Sequence, residues 1–201
     1  MEIARVPARV GLLGNPSDGY GGRVLAFTLD QFAAEVLARP SDRWVVVGAD
    51  GRRHDLEQGQ AIASALAAGE LGEGAELLAG TVALVLDRWP DARPHELWFE
   101  TTIPRQVGLA GSSAVVLGAL RVLGRVAGHE WRALDLARSA LAVEGERLGV
   151  ADGPQVRIVQ AMGGLLDMRF VDPWDPAAHE RLDPACLPPC YVGWRQTPGV
   201  S

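Results

Sequence analysis

A chain of 201 residues, 48% hydrophobic and 22% charged, is sized for one sizeable core, or for one domain and part of a second. Its net charge of −6 argues against nucleic acid or an acidic membrane surface as a partner. No apolar run is long enough to span a bilayer, residues 1–7 lack a secretory apolar region, and Cys186 and Cys190 read as reduced thiols in a proline-rich loop; a cytoplasmic protein is expected.

In chain order, residues 8–13 and 23–29 read as two strands. The second alternates cleanly, with Leu25, Phe27 and Leu29 on one face and Val24, Ala26 and Thr28 on the other. Between them Gly14-Asn-Pro-Ser-Asp-Gly-Tyr-Gly-Gly22 is rich in turn formers, and by composition it is a plain loop. Residues 33–39 and 44–47 extend the sheet, with Pro40-Ser41-Asp42 as a turn, and 49–59 reads as a polar loop. Residues 61–68 are an Ala-rich short helix bounded by Gly69. Leu78, Val82, Val85 and Trp89 give 73–89 the spacing of an amphipathic helix ended by Pro90. Residues 97–101 form a strand that leads into a glycine loop.

That loop, Ile103-Pro-Arg-Gln-Val-Gly-Leu-Ala-Gly-Ser-Ser-Ala114, precedes an apolar helical run over 115–126. Gly108 and Gly111 allow backbone paths that a Cβ would resist, and Ser112 or Ser113 stands where a helix N-cap is expected. Free N–H groups and the positive end of a helix dipole then converge on one point, which makes an anion site, usually for phosphate. The plain alternative is a glycine turn before a buried helix. A Walker-type loop is excluded because the chain contains no Lys, and the Rossmann glycine pattern is absent. Further on, 131–147 reads as a helix with Leu134, Ala137, Leu141 and Leu148 along one stripe, and Glu144 falls on it. A carboxylate there needs compensation, either a buried ion pair or a bound metal. Glu146 points away to solvent.

Two of these stretches carry a family resemblance. Pro104-x-x-x-Gly108-Leu109-x-Gly111-Ser112-Ser113-Ala114 resembles the phosphate motif of the GHMP small-molecule kinases, which include galactokinase, homoserine kinase and mevalonate kinase. Ala8-Arg-Val-Gly-Leu-Leu-Gly-Asn-Pro-Ser-Asp18 is most similar to the plant-type glucuronokinases and their bacterial relatives. The resemblance implies an α+β fold of the ribosomal protein S5 domain 2-like type, a mixed sheet with helices packed on one side. It makes residues 1–170 an ATP- and sugar-binding domain and 171–201 a linker and the truncated start of a second domain. Such enzymes continue for roughly another 100 residues or more beyond this point.

By the same resemblance, Gly108, Leu109, Ala110, Gly111, Ser112 and Ser113 bind ATP, and Ser112 or Ser113 with Glu144 hold Mg²⁺, Glu144 standing at the family's offset before Gly149. Asn15, Ser17 and Asp18 bind the sugar, and Arg9 steadies the transferring phosphoryl group; a solvated strand-end Arg is its plain alternative. Asn15 and Pro16 stand where galactokinase carries Glu and His, which implies a sugar other than galactose. Arg105 and Arg157 are the cations available to a uronate carboxylate. The implied activity is ATP-dependent phosphorylation of a sugar, with the anomeric hydroxyl of glucuronate favoured. The alternatives are another sugar or alcohol, or a non-catalytic relic that binds nucleotide or sugar. One departure stands out. Gly153-Pro-Gln-Val-Arg157 matches a family motif resembling Gly-Leu-Gln-Asp-Arg, so Val156 occupies the place of its catalytic Asp, and Asp152 is the nearest stand-in. Residues 160–170 resemble the following turn and strand, 171–189 reads as a loop or linker, and 191–194 as a short strand.

Overall fold

Two long strands make the spine of the molecule. In the computed structural model, which describes residues 1–56, 60–150 and 153–194, β1 (Glu2–Leu13) runs antiparallel to β2 (Arg23–Pro40) over almost its whole length. Two separate strands were expected where β2 is continuous. Asp30 and Gln31 interrupt the apolar alternation, but neither Gly nor Pro is there to turn the chain, and the interruption appears as a shift in register between Pro7 and Ala8 opposite residues 29–33. The other pairings of β2 divide its length: residues 34–40 pair with β5 (His95–Thr101) and residues 23–27 with β6 (Leu165–Arg169).

The seven-stranded sheet continues outward through β3 (Trp44–Val47) and β4 (Arg53–Leu56) on one side and β7 (His179–Leu182) on the other. Its β3–β5 pairing is parallel and the remaining ladders are antiparallel, so the sheet is mixed as expected. Two strands lie where loops were expected. β4 falls within 49–59, of which 57–59 lie outside the described residues, and it shows only one buried residue, Leu56, on a charged edge. β7 falls within 171–189, where His179 is its buried member; the Pro- and Asp-rich flanks conceal it. Residues 191–194 form no strand. They follow Pro188-Pro189, which cannot donate to a ladder, and Trp194 instead meets Phe32 edge-on at 5.4 Å.

Among the described residues are the helices α1 (Gln60–Ala68), α2 (Ala75–Arg88), α3 (Gly111–Val126), α4 (Ala133–Ala142) and α5 (Gln155–Met162). None is long and apolar enough to cross a membrane. α3 is the core helix, buried along Ser113–Leu120 and packed on β1 and β2, with α2 and α4 beside it. Leu78, Val82 and Val85 turn the apolar face of α2 into the same core. The helix expected over 131–147 is shorter. It ends at Ala142 and passes into one π-type turn, Val143–Arg147, which carries Glu144.

Candidate active site

The glycine loop lies between β5 and α3 and opens on a cleft of about 450 Å³. Gly108 has φ +78, with nothing near enough to touch a side chain there. Gln106 and Ala110 also adopt positive φ without being glycine, a conformation found where surrounding structure enforces it and often at ligand sites. Two anchors do the enforcing. Leu109 O accepts from Arg9 N of β1 at 3.2 Å, and Ala110 O accepts from Gln160 Nε2 of α5 at 3.1 Å. The expected serine cap is corrected by the structure: the N-cap of α3 is Ala110, no side chain caps it, and both serines sit inside the first turn. The first intrahelical bond runs from Ala114 N to Ala110 O, so the N–H groups of Gly111, Ser112 and Ser113 point out of the ladder at the loop.

The serines face Glu144 instead of the helix backbone. Ser113 Oγ donates to Glu144 Oε1 at 3.0 Å and Ser112 Oγ at 3.3 Å, while Arg157 Nε donates to Oε2 at 2.7 Å. Glu144 and Arg157 are 1% and 0% exposed. The ion pair left open by the sequence is therefore present. It does not use up the carboxylate, because one oxygen is shared with two hydroxyls. Carboxylate and hydroxyl oxygens about 3 Å apart are also the donor set of a hard divalent cation, so these residues fit Mg²⁺ on the Oε1 side. Arg157, buried and paired with Glu144, is not presented to a uronate carboxylate; Arg105 is the more exposed of the two, ion-paired with Glu73 beside the loop.

The 14–22 loop folds back on itself. Ser17 N donates to Gly14 O and Gly22 N to Ser17 O, and Ser17 Oγ donates to Arg23 O at 3.0 Å. Ser17 thus holds the loop's shape, with its hydroxyl committed to the backbone of β2. Asn15 is exposed at the rim, and Asp18 is buried at 9% exposure. Asp18 Oδ2 accepts from Gln155 N at 3.3 Å and presses on Gly153, where a Cβ would fall on the carboxylate itself. Gly153→Ala is expected to push that carboxylate aside, breaking its hydrogen bond with Gln155 N and lowering the melting temperature. A melting temperature equal to that of wild type in scanning calorimetry would mean that the carboxylate moves aside without cost.

Comparison with known proteins adds the family. The GHMP kinases N-terminal domain matches residues 71–164, which include the glycine loop, both serines and Glu144. Residues 71–164 carry the N-terminal domain of the GHMP kinases. Its sequence is 32% identical over 208 residues to glucuronokinase 1 of Arabidopsis thaliana and 31% identical over 210 to probable glucuronokinase 2 of the same plant. Each match covers 96% of this chain and 57% of the relative, so the chain spans little more than half the length of these curated proteins. The fold agrees with solved GHMP structures. Mevalonate kinase of Methanococcus jannaschii superposes with a TM-score of 0.72 at 15% identity, over 90% of this chain and 56% of that one. A D-glycero-D-manno-heptose 1-phosphate kinase of Bacteriodes thetaiotaomicron gives 0.69 at 21% identity, over 84% and 56%.

Within this GHMP domain, the short helix α5 ties the motifs together. Gln155 holds Asp18, Arg157 holds Glu144, and Gln160 holds Ala110 O of the glycine loop and Pro7 O of β1. Sequence reading missed Gly153, Gln155 and Gln160 because that segment drew attention for the Asp it lacks. A signal was available in Gln155 and Gln160, two amides in an apolar helix. Val156 is 3% exposed between Gln155 and Arg157, and Asp152 lies outside the described residues.

Proposed function

We propose that the chain supplies the nucleotide- and sugar-binding part of an ATP-dependent sugar kinase that phosphorylates glucuronate, or a closely related sugar, at its anomeric hydroxyl. The observation that carries this reading is the convergence of Ser112, Ser113 and Glu144 at the mouth of the glycine loop, with Glu144 held by Arg157 of α5, the helix whose Gln155 also holds Asp18. The glucuronokinase relatives support the sugar class and the uronate. The proposal keeps residues 1–170 as the binding domain and 171–201 as the approach to a second one, with β7 of that stretch paired into the first domain's sheet. A cytoplasmic location, without nucleic acid or membrane as a partner, belongs to the same reading.

Phosphoryl transfer asks a protein mainly for positioning and charge neutralisation. In this reading the N–H groups of Gly111–Ser113 and the start of α3 cradle ATP phosphates. Glu144 with Ser112 or Ser113 would hold Mg²⁺, whose chemistry is to neutralise charge building on the phosphates. Asp18 accepts hydrogen bonds from sugar hydroxyls and orients them, and Asn15 borders the same loop. Arg9 steadies negative charge on the transferring group, and Arg105 is the remaining motif cation for a uronate. A binding-only reading is favoured by one observation, the buried Val156 at the place where the motif this segment resembles has an Asp.

The test starts with the nucleotide. A Cβ at Gly111 would meet Ile103 Cγ2 at 3.5 Å, an ordinary contact, so Gly111→Val is expected to fold. It is expected to abolish binding of Mg·ADP by blocking approach to the loop backbone. Calorimetry giving equal affinities for variant and wild type would sink the nucleotide assignment. A coupled kinase assay over a panel of sugars and uronic acids, on a protein that includes a second domain, then identifies the acceptor.

A further inference from the structure

Gln155 has a feature that its support of Asp18 does not explain. The residue is 1% exposed, yet its Nε2 has no hydrogen-bond partner among the described residues. Native interiors satisfy nearly all such groups, and an unmade donor persists where a ligand or function accounts for it. The surroundings say which ligand. A Cβ built on Gly11 would lie 3.3 Å from Arg9 Nη1, 3.5 Å from Asn15 Cβ and 3.8 Å from Gln155 Nε2. The bare face of Gly11 is therefore a small floor on which three polar residues converge. Asn15 is exposed, so the buried amide lies close beneath the rim of the 14–22 loop. The backbone of the same residue holds Asp18, which fixes the amide relative to the proposed sugar site.

We propose that Gln155 is an acceptor-binding residue, its Nε2–H donating to a hydroxyl or carboxylate oxygen of the bound sugar. This rests on the sugar-kinase reading and extends it to a residue that reads the acceptor from the helix side, opposite the loop. An amide can hold an oxygen there but cannot take its proton. The role is binding and orientation.

Because the Nε2 donor is unpartnered among the described residues, deleting it separates binding from stability. Gln155→Met keeps the length of the side chain and deletes the donor. It is expected to weaken glucuronate binding about tenfold in calorimetry with Mg·ADP present, to leave Mg·ADP affinity within about twofold, and to keep or raise the melting temperature. A purely structural amide would behave in the opposite way, lowering the melting temperature and leaving sugar affinity alone. Gln155→Glu, titrated with glucuronate and with glucose, supplies the second variant. In Gln155→Met the same two titrations identify the partner: a loss confined to glucuronate points to a carboxylate oxygen, and an equal loss for both to a hydroxyl. Wild-type sugar binding unchanged in both variants overturns the assignment alone. A wild type that binds Mg·ADP but no sugar on the panel overturns the sugar-kinase reading, and this assignment with it.

Discussion

Glu144→Gln is expected to lower the melting temperature by about 10 °C, in the presence and in the absence of Mg²⁺. The carboxylate and Arg157 are 1% and 0% exposed, and removing one charge of such a pair leaves the other buried without compensation. Truncating one partner of a buried pair typically costs about 3–5 kcal/mol. Pairing the change with Arg157→Met is expected to recover much of the loss, since a neutral Gln–Met pair leaves no stranded charge. Scanning calorimetry of both single variants and the double variant checks this directly. A Glu144→Gln melting temperature within a degree or two of wild type would mean that the pair contributes little. The metal role has its own readout. If Glu144 also holds Mg²⁺, the folded double variant binds ADP with an affinity that no longer responds to Mg²⁺, whereas a structural Glu144 leaves that response intact.

The sequence made some of this architecture legible, and the reasons are local. Alternation over residues 23–29, the spacing of Leu78, Val82 and Val85, and the apolar run after Ser113 each report one buried face, and each became the expected element. Glu144 was legible as an anomaly because a carboxylate on an apolar stripe requires compensation wherever it sits. Long-range partners were not legible. That Arg157 pairs with Glu144, and that Gly153 must be bare because Asp18 lies on it, depends on α5 crossing both motifs, which no local pattern encodes. β4 and β7 were missed because edge strands with one buried residue carry little apolar signal. The serines were misplaced because Ser before an apolar run is a sound cap signal; here the Glu144 carboxylate took their hydroxyls instead.

Val156→Asp separates a weakened kinase from a relic, and its first expected result is a loss of stability. Val156 is 3% exposed, and the neighbouring cation is committed: Arg157 gives Nε to Glu144 and Nη1 to Gly153 O. A new carboxylate there gains no free counter-charge from Arg157 and costs about 3 kcal/mol or more if it stays ionised. Burial raises the folded-state pKa of an Asp above the value of about 3.9 in an unfolded chain. The penalty is therefore small below pH ~4, where the acid is neutral in both states, and grows as pH rises through the folded-state value. Melting curves at pH 4, 5, 6 and 7 check this, and a melting temperature that is independent of pH would mean the new side chain reaches water. Kinetics then complete the comparison in a protein that carries a second domain. An Asp able to take or orient the proton of the attacking hydroxyl contributes ~10²–10⁴-fold, whereas the positioning proposed for Arg9, Asp18 and the loop amides would operate without it. A rise in kcat despite the lost stability supports a kinase weakened at this one position. Wild-type turnover with no gain supports a route that needs no carboxylate at 156, and no turnover in either folded, nucleotide-binding protein leaves a binding module.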